Sequence, residues 1–99
     1  MAVKSFFIPQ GLVIAEVTEN SDTVIAKNPA LIITRQNEVI LAPLLHLVEE
    51  NTVSLKLDEI AFKCVFTPKR ELVNHYNQMF GSGLVLTTSM PWHFYFNVV

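Results

Sequence analysis

Gly11-Leu12-Val13-Ile14-Ala15-Glu16-Val17-Thr18-Glu19-Asn20-Ser21-Asp22-Thr23-Val24-Ile25-Ala26-Lys27-Asn28-Pro29-Ala30-Leu31-Ile32-Ile33-Thr34 is the stretch that decides the fold class. Gly11 opens a β-branched run, residues 12–19, that closes on Glu19-Asn20-Ser21-Asp22, four residues whose side chains favour turns by bonding to nearby backbone. Thr23 resumes the β pattern, which passes Asn28-Pro29 and continues to Thr34. Pro29 has no ladder donor, so this long strand must bend, bulge or lie at an edge there.

Moving outward, Arg35-Gln36-Asn37-Glu38 supplies a second turn. Val39-Ile40-Leu41-Ala42 and Leu44-Leu45-His46-Leu47-Val48 straddle Pro43, which reads as another strand broken midway by a proline. After the turn Glu49-Glu50-Asn51-Thr52, the apolar residues Val53, Leu55 and Leu57 alternate with Ser54, Lys56 and Asp58, the period of a half-buried strand. Ile60, Phe62, Cys64 and Phe66 continue the alternation, with a bend expected near Asp58-Glu59. About five short, bent antiparallel strands predict a small open barrel of the SH3-like type, because closure removes edges that otherwise aggregate.

A single C-terminal helix is predicted over about residues 68–80. Thr67 is its expected N-cap and Pro68 its first residue, while Leu72, Val73, Tyr76, Met79 and Phe80 form one apolar stripe. Gly81-Ser82-Gly83 ends it, since glycine reaches the left-handed conformation of a C-cap without a Cβ clash. Residues 84–88 suit a further strand. The apolar aromatic tail, residues 84–99, includes Pro91-Trp92-His93-Phe94-Tyr95-Phe96 and needs cover, either from its own barrel or from an adjacent copy.

Composition bounds the function. The chain has 99 residues, enough for one domain, residues 1–99, with one core. It is 51% hydrophobic and only 16% charged, with a mean hydropathy of +0.36, an apolar balance that predicts a partner and makes self-association the economical reading. The net charge of −2 and the scattered Lys4, Lys27, Arg35, Lys56 and Lys63 give no basic run of the kind that marks a nucleic-acid footprint. A single cysteine, Cys64, fits a reducing, cytoplasmic setting. Residues 6–15 superficially resemble a signal peptide, but Pro9, Gln10 and Gly11 interrupt the apolar run. The run 39–48 is too short for a membrane span and holds Pro43 and His46.

Gly11-x-x-Ile14, Asn28-Pro29 and Tyr76-Asn77-x-x-Phe80-Gly81-Ser82-Gly83 together resemble the small Sm-like proteins encoded by marine tailed phages, over about residues 6–86. The resemblance implies an open five-stranded barrel whose edge strands pair between subunits in a homo-oligomeric ring, with weak affinity for RNA or single-stranded nucleic acid. An Asp and Asn loop pair and an Arg-Gly pair, which RNA-binding Sm proteins carry, have no recognisable counterpart here. The helix also lies at the C-terminal end instead of the N-terminal one. A rival expectation is a structural or adaptor protein of a phage particle or phage-host complex, acting through protein contacts.

Lys27, Asn28, Arg35, Gln36 and Asn37 are the candidate nucleic-acid contacts, because they flank turns that would form exposed loops; repetition around a ring would multiply weak contacts. Phe62, Tyr76, Phe80, Trp92 and Phe94 are candidates for an oligomer interface or for core packing. Cys64 reads as a small core residue with Lys63 on the opposite face. His46, His75 and His93 lack metal-ligand spacing, and Glu71 with His75 suggests a surface ion pair. Glu49-Glu50 and Asp58-Glu59 fall in turns, where solvated charge is the ordinary reading, and Ser82 lies at a helix end, the reverse of a hydrolase elbow. No catalytic constellation and no cofactor motif stands out, so a non-enzymatic role is expected.

Overall fold

The computed structural model describes residues 2–80, and its backbone is mainly antiparallel β-sheet closed by one helix. In chain order the strands are β1 Ala2–Ile8, β2 Gly11–Glu19, β3 Thr23–Arg35, β4 Glu38–Pro43, β5 Thr52–Lys56 and β6 Ala61–Phe66, with a 3-10 turn Leu57–Glu59 before β6 and helix α1 Arg70–Phe80 at the end. The sheet order is β4-β3-β2-β1-β6, and β5 lies along the first half of β3. Since β4 pairs the second half of β3 and β5 the first, the two act as one interrupted strand, and the result is the expected small open barrel of about five rungs.

Strand β1 is absent from the sequence reading. The signal-like stretch is a hairpin: Ala2 faces Val17 and the register holds without a slip to Ile8 opposite Gly11. Pro9 and Gln10 make the two-residue turn that broke the apolar run, and Gly11 leaves it at φ 142, a conformation that side chains rarely adopt.

β3 is the predicted long strand, and its bend has a defined geometry. Ile14 faces Ala30 and Glu16 faces Lys27, so Ala15 alone opposes both Asn28 and Pro29, a β-bulge. Asn28 takes φ 52, a left-handed value that asparagine tolerates better than most residues. The bulge explains why residues 44–48 are not the strand that their apolar character suggests. Leu44 N–H still donates to Pro29 O at 2.9 Å, but Asn28 N–H is taken by Asn51 O at 2.7 Å, so the ladder resumes only with Thr52 opposite Lys27. Residues 44–51 loop out between these points, held by local bonds such as His46 Nδ1 with Pro43 O at 2.9 Å.

Two apolar layers follow. Phe6, Val13, Ala15, Val17, Val24, Ala26 and Ile60 fill the barrel interior. On the other face of the sheet, Ile14, Ala30 and Leu41 pack beneath Tyr76 and Met79 of α1, with Leu72 and Phe80 at the margin. Three consecutive residues, Val13, Ile14 and Ala15, are therefore all buried, as happens where a sheet is covered on both sides. The predicted stripe of α1 is the packed one. Its start is later than expected, because Thr67 Oγ1 accepts from Lys4 Nζ at 3.1 Å instead of capping, and the first helical bond runs from Val73 N–H to Lys69 O at 3.1 Å.

Tyr76 ties α1 to β3. Its hydroxyl lies 3.1 Å from Lys27 O and 2.9 Å from Asn28 O, so one buried donor faces two carbonyls at the start of the bulge. Burial, reinforced by the Glu16 carboxylate, raises the phenol well above its ordinary value of 10.0. Below that value the group is protonated in both states and its contribution is complete; above it the unfolded chain ionises first, and stability falls as pH climbs toward the folded value. Tyr76→Phe should therefore cost about 1–3 kcal/mol at neutral pH in urea unfolding. It should also flatten the loss of stability that the unaltered chain shows above about pH 10.

Candidate functional site

The five candidate nucleic-acid residues divide into two groups. Lys27 and Asn28 sit at the bulge, partly buried, and Asn28 spends its backbone N–H and C=O on structural bonds. Arg35, Gln36 and Asn37 are exposed at the β3–β4 hairpin, where Gln36 takes φ 54. Arg35 lies eight positions after Lys27 along β3, roughly 25 Å if straight. Each of these cations also faces an acid across the sheet, Lys27 opposite Glu16 and Arg35 opposite Glu38, which weakens any cationic field. The structure does not bring the five into one patch.

The aromatic candidates separate differently. Tyr76 is core, and Phe80 packs on it with ring centroids 4.7 Å apart. Phe62 is 74% exposed and completes a cluster of three edge-to-face rings with Phe7 and Phe66, at 5.6 Å and 6.0 Å. Trp92, Phe94, the Gly81-Ser82-Gly83 helix end and the strand expected at residues 84–88 lie outside the described residues.

Cys64 is exposed, not a core residue. Phe62 and Lys63 take φ 63 and 53, and against β1 the register slips by three residues, from Phe7 opposite Ala61 to Ser5 opposite Phe66. These two left-handed residues reverse the alternation, so Val65 packs toward the interior and Phe62 and Cys64 turn to solvent. The expected Glu71–His75 ion pair does not form among the described residues; the pair that does is Lys63 with Asp58 at 3.9 Å, both exposed and so worth little. No group of three His, Cys, Asp or Glu among the described residues is placed to hold a metal. No described helix is long and apolar enough to cross a membrane.

Two features dominate the described surface, the first expected from the sequence and the second not. One is a pair of sheet edges: β4 and β6 end the strand order, and neither has a second partner among the described residues. Leu44 N–H donates to Pro29 O, and bonded and non-bonded pairs alternate along an antiparallel ladder, so Pro43, Leu41 and Val39 belong to non-bonded pairs and face their backbone outward. Pro43 blunts one end of that edge, while Val39 and Leu41 direct donors outward that no described residue takes.

The other feature is a groove of about 710 Å³ on the sheet face that α1 packs against. Its walls are chiefly apolar, from Phe7, Leu12, Ile32, Val39, Phe66 and Leu72, with Lys69, Glu71 and His75 near the helix start. A smaller hollow of about 240 Å³ lies between the 44–51 loop and Phe80. Alternation along β1, β2 and β3 places these groove residues on one face, but only the position of α1 reveals that no described element covers them.

No protein-family model matches the chain, and no curated protein matches it either.

An exposed Cys64 should react fully with a thiol reagent such as DTNB in native buffer, at a rate close to that in denaturant. Protection until unfolding would restore it to the core.

Proposed function

We propose that this chain is a non-enzymatic, Sm-like protein that assembles head to tail into a homo-oligomeric ring, β4 of one copy pairing with β6 of the next. The observation that carries the reading is the pair of edges, at opposite ends of one sheet, that no described strand fills, both bearing exposed apolar side chains, Val39 on β4 and Phe62 and Phe66 on β6. An interface between two different surfaces of the same molecule repeats, and it closes into a ring when the rotation permits. A lone exposed thiol fits a reducing cytoplasm, that of the host if a phage encodes the chain.

Within a ring, Lys27 and Arg35 recur once per copy, and this repetition is what would give useful affinity for single-stranded RNA despite a net charge of −2. The second reading, an adaptor that docks other proteins, draws its support from the apolar groove.

Light scattering should give a mass of several protomers that holds on dilution. Val39→Pro removes an outward donor while sparing the β3–β4 ladder, so it should reduce the mass to one protomer with an unchanged far-UV spectrum. A monomeric unaltered chain would refute the ring. In anisotropy titrations at low salt, a single-stranded RNA should bind the assembled form and weaken as salt rises; no binding at any salt would leave the adaptor.

A further inference from the structure

Helix α1 is too short for the sheet beneath it. Its eleven residues extend about 16 Å at 1.5 Å each. It covers Ile14, Ala30 and Leu41, while Phe7, Leu12 and Ile32 beyond Leu72 form the floor of the 710 Å³ groove. Ligand-binding clefts typically measure about 300–1,000 Å³, so the groove has room for a compact apolar occupant. An apolar surface of this kind calls for a cover.

We propose that residues 91–96 of the same chain fill this groove, with Trp92 and Phe94 set against Phe7, Leu12 and Leu72. The segment has the matching chemistry: residues 81–99 contain no Asp, Glu, Lys or Arg and hold Trp92, Phe94, Tyr95 and Phe96. Its origin suits the route, because the described part of α1 reaches Phe80 on the same face of the sheet as the groove. The return path is about the length of the helix, and residues 81–90 can span up to roughly 33 Å when extended. Such a tether holds the segment at an effective concentration in the millimolar range, so the chain's own tail outcompetes that of a second copy at ordinary concentrations. Phe7 and Phe66, both on the groove wall, already meet edge to face at 5.9 Å, and further rings extend the same packing. The proposal does not depend on ring assembly.

Trp92 is the only tryptophan, so its fluorescence reports the segment directly. In the full chain the emission should be blue-shifted and poorly quenched by acrylamide. Leu12→Lys or Leu72→Lys should shift it to the red and raise quenching several-fold, with the β-sheet signal in circular dichroism retained. Because either lysine could unfold the chain, a second measurement leaves the groove unaltered: benzoylphenylalanine replaces Trp92 and is photolysed. Adducts to peptides containing Leu12 or Leu72, in a species of single-chain mass, are the expected result. Adducts of double mass would assign the groove to a second copy. Adducts elsewhere, a freely quenched Trp92 in the unaltered chain, or emission indifferent to both lysines would each overturn the proposal.

Discussion

The Tyr76 hydroxyl, facing the carbonyls of Lys27 and Asn28, is the contact on which the rest of the molecule depends. A bulge frees backbone groups from the ladder, and buried groups without partners are costly. Here the freed N–H of Asn28 goes to Asn51 O and the freed carbonyls go to the helix. The bend in β3 is thus fixed from both sides, by the returning chain before β5 and by α1.

That bend then determines what the surface offers. Because β3 turns at Asn28-Pro29, its outer rail is shared by two short strands and the 44–51 segment is expelled between them. Because Tyr76 pins α1 over the bulge, the helix covers the middle of the sheet and leaves its other end bare. The split outer rail along β3 and the groove that α1 leaves beyond Leu72 therefore follow from one bend, whereas the kink in β6 has its own cause in the left-handed Phe62 and Lys63.

Much of this was legible in the sequence where one local rule acted alone. Asn28-Pro29 announced a bend, Asp58-Glu59 a break between strands, and the Leu72, Tyr76 and Met79 spacing a packed helix face. The readings failed where two rules competed. Leu44 to Val48 is apolar enough for a strand, but the bulge withdrew its partner. Cys64 alternates correctly with Ile60, but two left-handed residues reverse the phase at Phe62 and Lys63, and no glycine there signals it. β1 was obscured because Pro9-Gln10-Gly11 was read as an interruption of an apolar run instead of a hairpin turn. As for the site, the sequence identified Lys27 and Arg35 as cations but not the acids opposite them, since cross-strand neighbours depend on register.

Hydrogen exchange along β4 tests the assembly claim most directly, because the strand carries its own control. Ile40 and Ala42 direct their N–H groups into β3, whereas Val39 and Leu41 direct theirs outward. Pairing between copies predicts slow exchange at all four amides, with Val39 and Leu41 becoming fast when the assembly is dissociated. Slow exchange at Ile40 and Ala42 with fast exchange at Val39 and Leu41 under every condition would mean that the edge is never paired, and would contradict the account.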